Sequence, residues 1–257
     1  IISGKLIYNG VYEYNGFSMI EKDSRGDFTY SNITSIAPLT TEYVHYLFEV
    51  PEEVGSSGAE ILLRMNIGGT NYKLVVRETN GAPVSTPEKQ EGKTSGEVVK
   101  GETVVTKNAE FSVDYAEITN DVMPQNPDGV YSHYEADAGK LYVDFCIAYK
   151  NTGSKDVGAD DVISAGLTYA GKYDYKGFSM IEKDSRSDFT YSNITSIAPL
   201  TTEYMHYLFE VPEEVESSDG ALTILIDIEG NPYSVIVREG IEGEVASLNP
   251  NAIAKTS

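Results

Sequence analysis

Apolar residues along this chain recur at every second position in short runs closed by turn residues, and a period of two predicts β-strands. In Leu141–Lys150, Leu141, Val143, Phe145, Ile147 and Tyr149 share one face, while Tyr142, Asp144, Cys146, Ala148 and Lys150 share the other. That is the pattern of a half-buried strand, and Asn151-Thr152-Gly153 supplies the turn after it. Phe111, Val113 and Tyr115 alternate upstream in the same way, and Glu102–Thr106 reads as a short leading strand. Downstream, Leu222, Ile224, Ile226 and Ile228 form an apolar face, Glu229-Gly230-Asn231 turns, and Tyr233–Val237 returns as a hairpin partner. Ile61, Leu63, Met65 and Ile67, then Gly68-Gly69, then Tyr72–Val76 repeat that hairpin. Helix signals are scarce.

The same module is written twice. Residues 16–54 recur at 177–215 with changes only at Gly26/Ser187 and Val44/Met205, and a looser match runs from Ile2/Ile163 to Glu78/Glu239. Strand-like sequence of roughly half a β domain precedes the second copy, and the first copy lacks it. Between the copies, Gly81–Gly96 has no aromatic residue and is rich in Pro, Gly, Ser, Thr, Glu and Lys, the composition of a flexible tether. The predicted organisation is a partial repeat over 1–78, a linker over 79–96, a complete domain over 97–239 and a polar tail over 240–257. Eight or nine short strands without intervening helices in the second copy predict two antiparallel layers. The fold class read from this is all-β, an immunoglobulin-like antiparallel sandwich in tandem, its first copy lacking the N-terminal half. With no Trp and a single Cys, aliphatic, Tyr and Phe packing must hold it.

Two segments carry a resemblance. LYVDFCIAYKNTGSKDV (141–157) and PLTTEYMHYLFEVPEEV (199–215) resemble the signature stretches of the telokin-like, immunoglobulin-fold domain of unknown function of bacterial secreted lipoproteins. A small mycobacterial secreted antigen is similar at greater distance. The resemblance covers 97–239 as a whole domain and 1–78 as its second half; Pro199-Leu200-Thr201-Thr202-Glu203 stands where relatives carry Pro-Gly-Glu, and no lipid-bearing Cys is present near the start. It implies an extracellular or surface-anchored setting and transfers no functional residues.

Composition narrows the chemistry. With 40% hydrophobic residues over 257 positions the chain buries a real core in one or two domains. A formal charge of −21 repels nucleic-acid phosphates and anionic headgroups, so neutral, cationic or metal-bearing partners are expected and nucleic acid is not. No apolar run reaches the roughly 18 residues of a membrane span. Cys146 stands alone, which excludes an intrachain disulfide and paired-Cys zinc patterns.

Candidate sites are few. His45 and His206 are repeat equivalents and His133 is isolated, so all three read as partly exposed strand or loop histidines. No Gly-x-Ser-x-Gly elbow, Ser-x-x-Lys pair or phosphate loop occurs, so no catalytic residue is assigned and no cofactor is expected. Asp156, Asp160 and Asp161 share a loop, and Asp121 and Asp128 another; the first set is the candidate for calcium, weighed against a solvated acidic loop. Tyr8, Tyr12 and Tyr14 repeat as Tyr169, Tyr173 and Tyr175, giving either cross-strand pairs or a platform for a protein or glycan presented twice. Cys146 reads as a packed thiol. The function expected is a non-catalytic extracellular binding or adhesion module, against a structural spacer or a calcium-dependent or hydrolytic protein. Open edges on the partial copy predict that its missing strands either lie upstream of Ile1 or come from another chain, the second giving a homo-oligomer by strand exchange.

Overall fold

The computed structural model describes residues 2–22, 26–37, 40–79, 94–183 and 185–240. The chain divides into two compact units, residues 1–88 with 154–156, and residues 89–153 with 157–257. Among the described residues, no helix is long and apolar enough to cross a membrane.

The first unit contains β1 (Ile2–Tyr8), β2 (Tyr12–Asn15), β3 (Phe17–Lys22), β4 (Asp27–Tyr30), β5 (Val44–Leu47), the short helix α1 (Glu52–Ser56), β6 (Ile61–Ile67) and β7 (Thr70–Arg77). The second contains β8 (Gly96–Glu97), β9 (Thr103–Val105), β10 (Ala109–Thr119), β11 (Asp121–Val122), β12 (Tyr134–Glu135), β13 (Lys140–Asn151) and β14 (Val157–Gly158). It continues with α2 (Ala159–Val162), β15 (Ile163–Tyr169), β16 (Tyr173–Lys176), β17 (Phe178–Lys183), β18 (Asp188–Tyr191) and β19 (Ser196–Ile197). It ends with β20 (Thr202–Pro212), α3 (Glu214–Ser217), β21 (Leu222–Ile228) and β22 (Asn231–Arg238).

The second unit is a β-sandwich. One sheet has the order β18-β17-β20-β13-β10-β9 and the other β16-β15-β21-β22-β8. Every pairing is antiparallel except β8 against β22. Phe111, Phe145, Ile147, Tyr207 and Phe209 from the first sheet meet Leu167, Ile224, Ile226 and Tyr233 from the second in one apolar core. β21 alternates strictly between buried and half-buried positions, as its sequence predicts. The hairpin turns carry consecutive residues of positive φ, Ala170-Gly171 in the three-residue loop between Tyr169 and Tyr173 and Glu229-Gly230 in the two-residue loop between Ile228 and Asn231, a twist that suits flanking right-handed strands.

β13 departs from expectation. Its sequence predicts one exposed face, but Asp144 and Cys146 are buried almost as completely as Val143, Phe145 and Ile147, and Tyr142 is only 9% exposed. The outer face is sealed by a second, smaller cluster of Val122, Tyr142, Met180, Phe189 and Leu208, with Tyr134 and Ala136 packed against it. Residues 80–93 of the expected tether lie outside the described residues, and Gly96 at its end belongs to β8. Residues 241–257 of the expected tail also lie outside them.

The first unit has a four-stranded sheet, β2-β1-β6-β7, and a three-stranded one, β4-β3-β5. Residues 41–51 (TEYVHYLFEVP) and 202–212 (TEYMHYLFEVP) differ at one position, yet the latter form an unbroken strand and the former only the four residues of β5. β20 pairs along its whole length with β13, from Lys140↔Pro212 to Lys150↔Thr202, whereas β5 has β3 on one side and is the edge of its sheet. Extended backbone with one side unpaired gains half the ladder hydrogen bonds, so the same residues stop being strand. The facing apolar surface is open too. Tyr72 is 50% and Leu74 52% exposed, against 2% and 5% for their counterparts Tyr233 and Val235.

Candidate functional site

The densest convergence of ionisable side chains sits on the outer face of the six-stranded sheet in the second unit. Register places it: Tyr115, Cys146, His206 and Met180 lie abreast on β10, β13, β20 and β17, so their side chains leave the sheet on one side. Asp144 and Glu182 are two residues removed along their strands and keep that side. A β-bulge between Val113 and Tyr115 makes Asp114 an extra residue and turns it to the same face. Arg186 enters from the turn after β17 with positive φ, its carbonyl accepting from the Asn126 N–H at 2.8 Å.

His206 is the hub. Its Nδ1 is 2.9 Å from Asp144 Oδ1, and its Nε2 faces Glu182 Oε2 at 3.4 Å and Cys146 Sγ at 3.5 Å. The Arg186 Nε donates to Glu182 Oε2, its Nη1 is 2.9 Å from Asp114 Oδ2, and its Nη2 lies 3.7 Å from Cys146 Sγ. The guanidinium stacks on Tyr204, with 3.7 Å from Cζ to the ring centroid. Glu182 Oε1 accepts from the Gln125 N–H at 2.6 Å, and the Tyr115 hydroxyl donates to Asp144 at 3.1 Å. Phe189 presents its ring edge-on to the imidazole at 5.0 Å.

The protonation pattern follows from this geometry. Burial pulls the His206 imidazolium down, and hydrogen bonds to Asp144, Cys146 and Glu182 outweigh it, holding the group up at about 12. Burial pushes Glu182 up, and His206, the Gln125 amide and Arg186 bring it below the usual carboxylate range. Burial pushes the Cys146 thiol up, with His206 opposing. Three carboxylates, Asp114, Asp144 and Glu182, therefore face two cations, Arg186 and His206, around a neutral thiol.

Two chemistries share parts of this arrangement. Cys146, His206 and Asp144 stand in the order of nucleophile, base and orienting acid. An imidazolium with both nitrogens engaged by carboxylates is a poor acceptor for the thiol proton, and both Cys146 and His206 are fully buried. Cys146, Glu182 and His206 also bring one ligand atom each within 4.8 Å of one another, a spacing that suits a metal ion. The Arg186 guanidinium, bonded to Glu182 and directed at Cys146, already places a cation there. What the cluster does as built is tie four strands and the covering loop together.

One histidine differs from the sequence reading: His206 is fully buried rather than partly exposed, packed against the Phe189 ring and bonded to Asp144, while the His45 side chain is 39% exposed. His133 is exposed and pairs with Asp121 at 2.7 Å. The tyrosines do not form one exposed row presented twice. Tyr8, Tyr12 and Tyr14 are buried; Tyr169 and Tyr175 are half-buried, and only Tyr173 is exposed. Tyr8 and Tyr12 are directly opposed across strands and stack at 5.9 Å, as Tyr169 and Tyr173 do at 6.1 Å, so these residues serve cross-strand pairing. Among the described residues, the side-chain group spaced to hold a metal ion is Cys146, Glu182 and His206 and does not include Asp156, Asp160 or Asp161. Asp156 accepts from Asn15 Nδ2 at 2.7 Å, while Asp160 and Asp161 occupy the first turn of α2 and line a groove of about 420 Å³ with Tyr175 and Tyr207. Sequence reasoning missed Asp114, Asp144, Glu182 and Arg186; a signal for two of them lay in the recurrence of 16–54 at 177–215, which keeps Glu21/Glu182, Arg25/Arg186 and His45/His206 alike.

No family model matches the chain, and no curated protein matches it. Among solved structures it is similar to an uncharacterized β-sandwich protein from Clostridium difficile 630, with 32% identity and a TM-score of 0.53 over 59% of this chain and 99% of that one. A conserved hypothetical protein from Bacillus anthracis aligns over 58% of this chain and 99% of that one at 14% identity, with a TM-score of 0.39.

Proposed function

We propose that this chain, which belongs to the same family of β-sandwich proteins as the Clostridium difficile 630 protein, is a non-catalytic binding or adhesion module whose first unit is completed by an extended strand along β5. The observation that carries this is the contrast between β5 and β20, near-identical in sequence, one an edge strand and the other paired throughout with β13. In the other sheet of the same unit, Tyr72, Leu74 and Val76 are exposed apolar residues on one face of β7, and a groove of about 690 Å³ runs past Met65 and Tyr72. Such a surface is satisfied by a strand that alternates as β13 does, apolar toward the facing sheet. Strand exchange between copies of the chain is the weaker alternative. A ribbon leaving β20 for another copy's β5 trades one acceptor for its near-duplicate and gains no pairing.

In the same reading the fold is the immunoglobulin-like sandwich of telokin-like domains, displayed outside the cell or at its surface; a spacer role is the rival. The test uses a labelled peptide reproducing residues 140–151, with Ser in place of Cys146, titrated against the full chain by fluorescence anisotropy. Saturable binding that is lost when the peptide's alternation is scrambled, and weakened by Leu74→Glu, supports strand addition. No binding sinks it, and a dimer in light scattering of the chain alone favours exchange.

A further inference from the structure

The floor of the ion network in the second unit holds three donor atoms in the arrangement a transition metal requires. Cys146 Sγ, Glu182 Oε2 and His206 Nε2 lie within 4.8 Å of one another, and all three residues are buried. Tetrahedral zinc, with bonds of roughly 2.3 Å to sulfur and 2.0–2.2 Å to nitrogen and oxygen, sets its ligands about 3.6 Å apart for sulfur and nitrogen and about 3.4 Å apart for nitrogen and oxygen. The distances here are 3.5 Å from Cys146 Sγ to His206 Nε2 and 3.4 Å from His206 Nε2 to Glu182 Oε2. As a hydrogen-bond geometry the same arrangement is poor. One Nε2 proton is shared between two neighbours, and the oxygen stands beyond the roughly 2.7–3.2 Å of a good N–H···O bond. Behind the imidazole, Asp144 Oδ1 accepts from Nδ1 at 2.9 Å, and the Tyr115 hydroxyl donates to Asp144 in turn. A carboxylate on the far nitrogen is the support that metal-bound histidines carry, since it fixes the tautomer and the ring.

We infer that Cys146, Glu182 and His206 form a site for a divalent transition ion, zinc being the best match, whose place the Arg186 guanidinium holds until the ion displaces it. Arg186 meets two of the same donors, through its Nε to Glu182 Oε2 and its Nη2 to Cys146 Sγ at 3.7 Å. It also guards the way in. Arg186 and Asp114 form the rim of the cluster, their side chains 17% and 34% exposed, above a floor that is sealed. Asp114 Oδ2 is 3.9 Å from Cys146 Sγ, so withdrawal of the guanidinium leaves this carboxylate beside the fourth coordination position. Binding expels the thiol proton and the Nε2 proton to water, while Nδ1 keeps its proton on Asp144. Two positive charges arrive and two leave, so the exchange buries no additional charge. One thiolate, one imidazole and one carboxylate suit zinc and its neighbours rather than calcium or magnesium, which take oxygen ligands.

Cobalt(II), whose absorption reports its ligands, is the probe. The full chain, extracted with a chelator and titrated with cobalt(II), should take up one ion with a thiolate-to-cobalt charge-transfer band in the near ultraviolet and visible bands of four-coordinate geometry, and zinc(II) should displace it. Cys146→Ser should abolish the charge-transfer band. Arg186→Gln removes the competing cation and should tighten cobalt(II) binding by at least about tenfold. Absence of the charge-transfer band in the unaltered chain overturns the site. Uptake that Cys146→Ser leaves unchanged overturns it as well, since surface carboxylates would then be the ligands. Equal affinity in the Arg186→Gln variant overturns the displacement. The first titration uses the unaltered chain, so a folding defect in either variant leaves the site decided.

Discussion

His45 and His206 offer a controlled measurement of what burial does to one ion pair. Each sits in nearly the same local sequence and faces the same glutamate, but the His206 side chain is fully buried and that of His45 is 39% exposed. Replacing His206 by Ala leaves Asp144 and Glu182, both buried, without a shared cation. Removing one partner from a buried pair costs about 3–5 kcal/mol, because the remaining charge stays desolvated. The same change at His45 removes a pair that water screens, worth about 0–1 kcal/mol. At roughly 2–4 °C per kcal/mol for the larger second unit and 4–8 °C for the smaller first one, His206→Ala should lower the melting temperature of its unit by about 6–20 °C and His45→Ala that of its own by no more than about 8 °C. Circular dichroism melts and urea titrations at pH 7 read both. Because His206→Ala also opens a cavity, a double-mutant cycle with Asp144→Asn isolates the charge component, with an expected coupling of at least about 1 kcal/mol. Equal effects at the two histidines, or a coupling near zero, would refute the assignment of His206 as the hub of a stabilising network.

Three further outcomes follow from the same geometry. His206 has its folded value raised from 6.5 to about 12, so its stabilisation is complete below about pH 6.5 and is lost as pH climbs toward 12; Glu182 is lowered from 4.5, so its share holds above about pH 4.5 and is lost in acid. Melting temperature should thus decline from pH 7 to pH 10, and His206→Gln should flatten that decline. The raised and buried Cys146 thiol should stay unreactive toward a disulfide reagent in the native chain and react at once in denaturant, and native reactivity would contradict its burial. Millimolar calcium should leave the melting temperature unchanged, since Asp156 is bonded to Asn15 and Asp160 and Asp161 lie in the first turn of α2; a rise would show that these carboxylates bind the ion after all.

Much of the architecture was legible in the residues. Period-two alternation in 222–228 and 61–67, with Gly-containing turns after each, located hairpins whose strands are observed at β21–β22 and β6–β7. The ion network was not legible, because its members are spread over residues 114 to 206 and meet only through register across four strands and one bulge. Cys146 and Asp144 were placed on the correct face of β13, but alternation reports only which side a residue takes, not whether that side is covered.

The chain's residues by themselves determined the strands, the turns and the repeated module, since these follow from backbone preferences and side-chain alternation over a few positions. Tertiary structure alone decided that TEYMHYLFEVP becomes a long central strand while TEYVHYLFEVP stays mostly coil, and that one histidine is sealed in an ion network while its twin faces solvent. Strand pairing and desolvation belong to the neighbour as much as to the segment: among the described residues, β20 lies between β13 and β17, whereas β5 pairs with β3 alone.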